Sequence, residues 1–199
     1  MSARFHVLHV CTGNIGRSPM AEYLMRCRLG QRLGGPEAED RFLVDSAGTW
    51  GHTGSSMEVY AAASLTAMGI DPEGFRAREL TDDHIRSADL VLTATAEHRT
   101  TVVGMVPGAL HRTFTLREFA RLAPAVEAAL PPEVSPEDRP RLAVSAAVVV
   151  RGREPRPSDP AVDDVADPIG APLLYYWARA EEIDAACVRA VDLLTGVPR

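Results

Sequence analysis

The sequence predicts a single-domain α/β protein in which helices cover both faces of a parallel β-sheet. Short apolar runs that suit buried strands alternate with longer segments of helical pattern along most of the chain, the order typical of this architecture. The chain has 199 residues, 46% of them hydrophobic and 24% charged. This is enough for one domain with a complete hydrophobic core.

The predicted strands are short apolar runs, and the first of them precedes a glycine-bearing loop. They lie at Phe5–Val10, Phe42–Ser46, Leu90–Thr95 and His111–Phe114. Helices are predicted after them, at Pro19–Arg32, Met57–Met68, Thr81–Ser87, Ala96–Val103, Leu116–Leu122 and Leu173–Leu194. Ligands of open parallel sheets bind beyond the carboxyl ends of the strands, so we expect a functional site directly after Val10.

The loop after the first strand reads Cys-Thr-Gly-Asn-Ile-Gly-Arg-Ser from Cys11 to Ser18 and continues into Pro19. Proline suits the first turn of a helix. A loop between a strand and a helix start turns successive backbone N–H groups into one concavity at the positive end of the helix dipole. The two glycines adopt backbone angles that other residues resist, and Asn14 is the type that best tolerates the left-handed region. We therefore predict a phosphate site.

The side chains of this loop predict covalent chemistry on phosphorus. In such an electropositive site Cys11 would be held as a nucleophilic thiolate, and the planar fork of Arg17 would bind two phosphoryl oxygens. The Ser18 hydroxyl would donate to the sulfur. An isolated Cys-x5-Arg pair is a weak signal, since free cysteine is most often a small buried hydrophobe. The other residues expected to bind phosphate or support the loop are Thr12, Gly13, Asn14, Ile15, Gly16 and Ser18.

With these residues in view, the chain resembles the low-molecular-weight protein tyrosine phosphatases. Their signature is the same Cys-x5-Arg-Ser loop at the end of the first strand, usually with Gly-Asn where this chain has Gly13 and Asn14. The resemblance implies a flavodoxin-like, three-layer α/β/α fold with four parallel strands, and catalysis without a cofactor or metal. Further matching segments are Asp45–Thr49, Ala77–Leu80, Ala88–Leu92 and Asp167-Pro168.

Ester cleavage also needs a proton for the leaving oxygen, which an Asp-Pro pair supplies in the resembling family. Asp159-Pro160 and Asp167-Pro168 compete for this role. We favour Asp167, because its surroundings match the family pattern and it lies just before the last helix. Proline disfavours helix at the preceding residue, which would hold the acid in an extended loop.

Two more positions follow from the resemblance. Ser46 resembles a residue that hydrogen-bonds to the phosphate loop and orders it. Family members commonly carry an aromatic residue after Asp-Pro, as a wall of the substrate slot, whereas this chain has Ile169. Trp50 is the best remaining candidate for such a wall, and plain packing is its alternative. We interpret His52, His84, His98 and His111 as surface or loop residues without the paired spacing of a metal site.

The segment from Pro124 to Pro160 does not continue the alternation of predicted strands and helices, and it contains eight of the 15 prolines of the chain. Compact members of the family lack this length, so we interpret about residues 121–160 as an insertion before the C-terminal helix. Because it immediately precedes the proposed acid, we expect it near the rim of the site. It would act there as a lid or a docking element, or it would be a surface segment without a role in function. Periodicity does not decide whether its apolar run Ala143–Val150 is a strand or a helix.

Composition excludes several function classes. A formal net charge of −6 gives no reason to expect nucleic acid or an anionic membrane as partner. The chain has no lysine, which excludes a Walker A loop and Schiff-base chemistry. Its three cysteines are too few and scattered for a disulfide framework or a zinc site. We expect no signal peptide, no membrane span and a cytoplasmic location.

The leading hypothesis is a protein tyrosine phosphatase that forms a cysteinyl-phosphate intermediate, with phosphotyrosyl proteins as substrates and inorganic phosphate or other oxyanions as loop ligands. A thiol-coupled arsenate reductase shares the scaffold but needs further paired cysteines, which Cys27 and Cys187 do not resemble. Bacterial protein-arginine phosphatases share the loop but tend to carry threonine at the position of Ile15. A catalytically silent anion- or phosphoprotein-binding module is the remaining alternative.

Overall fold

A computed structural model describes residues 4–196 and contains one four-stranded parallel sheet with the strand order β2-β1-β3-β4. All three strand pairs run parallel, so the predicted parallel α/β fold is confirmed. β1 is buried along its whole length between two neighbours, which is why its sequence is almost continuously apolar. The strands are β1 (Phe5–Cys11), β2 (Phe42–Gly48), β3 (Leu90–Thr93) and β4 (Thr113–Thr115).

Helices cover both faces of the sheet and make the predicted three layers. Val7 belongs to the larger core cluster and Leu8 to the smaller one on the opposite face, because successive strand residues point to opposite faces. The larger cluster includes side chains of α1, α2, α3, α6, α7 and α8, and the smaller one includes side chains of α4 and α5. The helices are α1 (Arg17–Leu33), α2 (Gly35–Arg41), α3 (Val59–Ala67), α4 (Asp82–Ser87), α5 (Ala96–Met105), α6 (Leu116–Ala129), α7 (Arg139–Arg151) and α8 (Leu173–Thr195).

The structure corrects several predicted elements. The expected strand His111–Phe114 begins later, because Pro107–Arg112 forms a 3₁₀ helix that ends where β4 starts. The ambiguous run Ala143–Val150 is helical and lies within α7. α2, a seven-residue helix with proline at its first turn, was not predicted from the sequence. α6 extends past its predicted end and contains Pro124.

The helical part of the proposed insertion lies at the amino ends of the strands. On α7, the Arg141 guanidinium lies over the Phe5 ring, 6.0 Å from its centroid, and Arg151 donates to the Thr113 carbonyl at 2.8 Å. Phe5 and Thr113 are the first residues of β1 and β4, whereas Cys11 ends β1 at the other edge. The prediction that this segment borders the loop is therefore wrong for α7.

None of the helices described between residues 4 and 196 combines the length and the apolar character that a membrane span requires.

Candidate active site

The predicted phosphate loop connects the last residue of β1, Cys11, to the first residue of α1, Arg17. Asn14 sits in the left-handed region with φ 53°, as its residue type predicts. The residue that follows β2 supports the loop, because the Thr49 amide donates to the Cys11 carbonyl at 2.8 Å. The loop is thus tied to the edge of the sheet at which the strands end.

Gly48 allows this close approach. A Cβ at this position would lie 2.3 Å from the Thr12 carbonyl oxygen and 2.9 Å from the Asn14 amide nitrogen. Both are backbone atoms of the loop, so neither can move aside without displacing the loop itself. The glycine in Ser46-Ala47-Gly48 is therefore required by packing against the phosphate loop.

We expect Gly48→Ala to lower both stability and turnover, because the added methyl group pushes the loop away from β2. Overpacking of this kind costs about 1–3 kcal/mol, measurable by denaturant unfolding. Gly30→Ala in the last turn of α1 is the matched control, since nothing lies within 4 Å of a Cβ there and alanine favours helix by roughly 0.5–1 kcal/mol. Wild-type stability in Gly48→Ala would contradict the expectation.

Asn14 is the structural centre of the loop. Its side-chain amide donates to Ser18 Oγ at 2.9 Å and to Ser46 Oγ at 2.8 Å, and its Oδ1 accepts from the Arg78 amide at 2.9 Å. The residue is fully buried and both amide hydrogens have partners. Asn14 therefore holds the loop in shape from inside the protein.

The Cys11 sulfur lies 3.0 Å from the Ser18 hydroxyl oxygen. Because Ser18 Oγ accepts a hydrogen from Asn14, its own hydrogen is available to the sulfur. A hydroxyl donor at this distance stabilises a thiolate more than a thiol. Cys11 is buried at the end of β1, and the contact with Ser18 spans the loop from its first residue to the start of α1.

Ser46 lies beside Asn14 and joins it to a buried carboxylate. Ser46 Oγ donates to Glu22 Oε2 at 2.6 Å, and Glu22 also pairs with Arg26 at 2.9 Å. Burial raises the pKa of Glu22 above its usual value, while the charge of Arg26 opposes this shift. Glu22 was not among the predicted site residues, because its position on the first helix does not indicate a partner on β2.

Arg17 and Asp167, 150 residues apart in sequence, form an ion pair of 2.5 Å between Nη2 and Oδ2. Arg17 is only 6% exposed; its Nη1 donates to the Val165 carbonyl at 3.2 Å and its Nη2 to Thr12 Oγ1 at 3.3 Å. Asp159 instead accepts from the Ala161 amide at the start of a 3₁₀ helix. Of the two aspartates, Asp167 contacts the loop in this structure.

Exposed apolar side chains flank the site. The Trp50 amide donates to the Thr12 carbonyl at 3.0 Å, yet the residue is 78% exposed, which contradicts plain packing as its role. Ile169 is 60% exposed, and its amide donates to Asp167 Oδ1 at 3.1 Å. Tyr175 is exposed as well. Trp50 and Ile169 are thus uncovered apolar residues whose backbone amides bond to the loop and to the aspartate, respectively.

His98 was expected at the surface, and the structure contradicts this. The side chain is buried at the start of α5, and its Nε2 lies 2.9 Å from Thr12 Oγ1. Burial and the nearby Arg17 charge lower the pKa of His98 to about 4. Histidine, cysteine and acidic side chains nowhere group in threes as metal ligands within residues 4–196.

The comparison with protein families decides the assignment. The family model for low molecular weight phosphotyrosine protein phosphatases matches residues 6–133, which include the whole phosphate loop. The chain belongs to this family. Members of the low-molecular-weight phosphatase family are phosphoprotein phosphatases, so the predicted family and enzyme class are confirmed.

Individual relatives differ in their named substrates. A protein-arginine-phosphatase from Geobacillus stearothermophilus is 30% identical over 190 residues, 96% of each chain. The low molecular weight protein-tyrosine phosphatase A of Mycobacterium tuberculosis is 42% identical over 100 residues, 49% of this chain and 57% of its own. Both relatives are named phosphatases.

Solved structures of the family share the fold. The YwlE arginine phosphatase from Geobacillus stearothermophilus has a TM-score of 0.67 at 28% identity, covering 96% of this chain and 94% of its own. The low molecular weight phosphatase from T. tengcongensis also has a TM-score of 0.67, at 26% identity, covering 94% and 98%. The predicted fold class is therefore confirmed.

Proposed function

We propose that this phosphatase hydrolyses phosphotyrosine in proteins, with Cys11 as nucleophile, Arg17 as phosphate ligand and Asp167 as general acid and base. The observation that carries the proposal is the convergence of three groups on one loop. Cys11 Sγ lies 3.0 Å from the Ser18 hydroxyl, and Arg17 at the other end of the loop contacts Asp167 at 2.5 Å. This arrangement supplies a nucleophile, an oxyanion ligand and a proton donor.

In the first step the Cys11 thiolate attacks phosphorus, and an S–P bond forms as the P–O bond to the phenol breaks. Asp167 gives its proton to the departing oxygen. The loop amides and Arg17 hold the remaining phosphoryl oxygens, which carry the spreading negative charge. A phosphoryl dianion would displace the Asp167 carboxylate from Arg17, and the freed carboxylate takes up a proton from solvent before it serves as the acid in the first turnover.

In the second step water attacks the phosphorus of the cysteinyl-phosphate. The Asp167 carboxylate takes a proton from this water, and the S–P bond breaks to release phosphate and the thiolate. The Ser18 hydroxyl stabilises the departing sulfur as it did before attack. Every proton and bond in this cycle belongs to the substrate, the water or side chains of this chain.

An aryl substrate suits the surface beside the loop. Trp50, Ile169 and Tyr175 are exposed and apolar, so they offer contact area to a phenol ring and its flanking residues. Trp50 would form one wall of the slot. Ile15 is the loop residue common in the tyrosine phosphatases, and it packs against the core.

Protein-arginine phosphatase activity is the second candidate function. It is favoured by the relative with that name, which matches 96% of this chain. Cleavage of a phosphoarginine P–N bond would use the same nucleophile, and the leaving guanidine also needs a proton. Ile15 argues for tyrosine, because the arginine phosphatases tend to carry threonine there.

Two peptides of the same sequence, one with phosphotyrosine and one with phosphoarginine, separate these functions. Phosphate release is measured with EDTA present for both. We expect the larger kcat/KM on the phosphotyrosyl peptide. A larger kcat/KM on the phosphoarginyl peptide would replace the proposed function with the second one, and no release from either would refute both.

We expect Asp167→Asn to slow turnover most on substrates with poor leaving groups, because these depend on protonation. General acid catalysis contributes about 10²–10⁴-fold, so kcat on phenyl phosphate should fall within that range, and on p-nitrophenyl phosphate by much less. Asp159→Asn is the matched control and should keep wild-type kcat on both. Equal losses on the two substrates, or a larger loss in Asp159→Asn, would contradict the assignment.

We further propose that inorganic phosphate and related oxyanions occupy the same loop, as product or as competing ligands. A cytoplasmic location would suit the enzyme, since a reducing environment keeps the Cys11 thiol free. We also propose that the chain forms one phosphatase domain, in which about residues 121–160 are an insertion before the C-terminal helix.

A further inference from the structure

His98 has both ring nitrogens next to hydroxyl groups, one of which belongs to the phosphate loop. Its Nε2 lies 2.9 Å from Thr12 Oγ1, and its Nδ1 lies 2.7 Å from Thr95 Oγ1. Thr12 directly follows the nucleophile, 86 positions before His98. Thr95 caps the N-terminus of α5 through the His98 amide, so this histidine connects the loop to a helix start.

The His98 ring is neutral at physiological pH. Its environment disfavours the imidazolium, because the side chain is buried and the Arg17 guanidinium is close, while the Asp167 carboxylate acts in the opposite direction. A neutral ring has one donor and one acceptor nitrogen. Each nitrogen faces a hydroxyl, which can donate or accept as required, so both bonds form without a second ring proton.

The Thr12 hydroxyl is also a contact of Arg17. Arg17 Nη2 donates to Thr12 Oγ1 at 3.3 Å and to Asp167, while Nη1 donates to the Val165 carbonyl at 3.2 Å. Val165 is itself fixed, because its amide donates to the Ala94 carbonyl at 2.8 Å. Once a phosphoryl group takes the place of Asp167, Thr12 and Val165 are the contacts left to orient the guanidinium among residues 4–196.

We infer that His98 is a positioning residue for this enzyme: it fixes the Thr12 hydroxyl, and through it the plane of the Arg17 guanidinium that receives the phosphoryl group. The threonine side chain alone can turn about χ1. Its bond to a buried, doubly held ring removes that freedom. The guanidinium thus meets the phosphoryl oxygens already in the orientation for two hydrogen bonds.

Two variants of His98 separate its two bonds. Glutamine extends far enough to place an amide near the position of Nε2, and asparagine places one near Nδ1. His98→Gln therefore keeps the contact with Thr12, whereas His98→Asn keeps the contact with Thr95 and loses Thr12. We expect kcat/KM on an aryl phosphate near wild type for His98→Gln and about tenfold lower for His98→Asn, the effect of one lost hydrogen bond.

Thr12→Val removes the hydroxyl at nearly constant shape and should also lower kcat/KM about tenfold. The double variant Thr12→Val/His98→Asn should lose no more than either single variant, because both remove the same bond. A general weakening of the fold would not produce that pattern. His84→Gln, a histidine at the half-exposed first turn of α4, is the control and should keep wild-type kcat/KM.

The inference would be overturned if His98→Gln and His98→Asn lowered kcat/KM by the same factor. It would also be overturned if the factor lost in the double variant equalled the product of the factors lost in Thr12→Val and His98→Asn. The kinetic part of this test rests on the proposed function. Affinity for inorganic phosphate, measured by calorimetry on each variant, does not require turnover. It should fall in Thr12→Val and His98→Asn but not in His98→Gln; unchanged affinity in all three would overturn the inference even if the wild type hydrolyses nothing.

Discussion

Cys11→Ser is expected to abolish turnover while leaving phosphate binding intact. Serine has nearly the same shape as cysteine, so the loop amides and Arg17 still receive a phosphoryl group. A serine hydroxyl at this position is not ionised at neutral pH. The hydrogen bond that Ser18 offers at 3.0 Å stabilises the cysteine thiolate, and the variant has no such anion. Loss of an enzymic nucleophile costs about 10⁴–10⁶ in kcat.

The measurement is phosphate release from an aryl phosphate in EDTA, together with phosphate affinity by calorimetry. Cys27→Ser is the matched control, because Cys27 is a half-buried cysteine on α1 and the expected loss there is none. Turnover that survives in Cys11→Ser would refute the covalent mechanism. Loss of both turnover and phosphate affinity would indicate a damaged loop rather than a missing nucleophile.

Arg17→Ala is expected to reduce kcat/KM by about 10³–10⁴, the scale of losing a charged transition-state ligand. Unlike Cys11→Ser, it should also weaken phosphate binding, because the guanidinium contacts both ground state and transition state. Arg17→Lys should recover only a minor part of the lost kcat/KM, since an ammonium group cannot form two parallel hydrogen bonds to the phosphoryl oxygens. Asp167 would in addition lose its partner at 2.5 Å.

Arg86→Ala provides the control for this variant. Arg86 lies on α4 in exposed pairs with Asp82 and Asp83, and such pairs contribute little to stability. Its kcat/KM should equal that of the wild type. If Arg17→Ala kept wild-type phosphate affinity, the loop amides alone would bind the anion and the assigned role of Arg17 would be wrong.

The phosphate loop was predictable because its chemistry is local in the sequence. Cys11, Asn14, Arg17 and Ser18 lie within eight consecutive residues, and strand, glycine loop and helix start follow one another there. Asp167 required the family resemblance, since Asp159 also precedes a proline and only the family-like residues around Asp167 and its place before the last helix favoured it. Its contact with Arg17 arises from the fold and not from any spacing in the chain.

His98 and Glu22 were missed for a physical reason. Each reaches the loop through a hydrogen-bonded partner on another element: His98 bonds to Thr12, and Glu22 bonds to Ser46. Polar residues within helical segments are most often solvated, and a single sequence does not show which of them the tertiary structure buries. The same limitation affects α7, whose apolar run fits a strand or a helix and whose position depends on long-range packing against β1 and β4.

The position of α7 has a consequence for electrostatics. β1 has seven residues, so its two ends are separated by roughly 20 Å at the usual rise per residue. The Debye length in physiological salt is about 8 Å, so the exposed Arg141, which lies over Phe5 at the far end of β1, is about two screening lengths from Cys11. A substitution of Arg141 is therefore expected to leave the potential at the nucleophile almost unchanged, whereas Arg151 lies nearer to it, because Thr113 is level with Leu8 in the sheet.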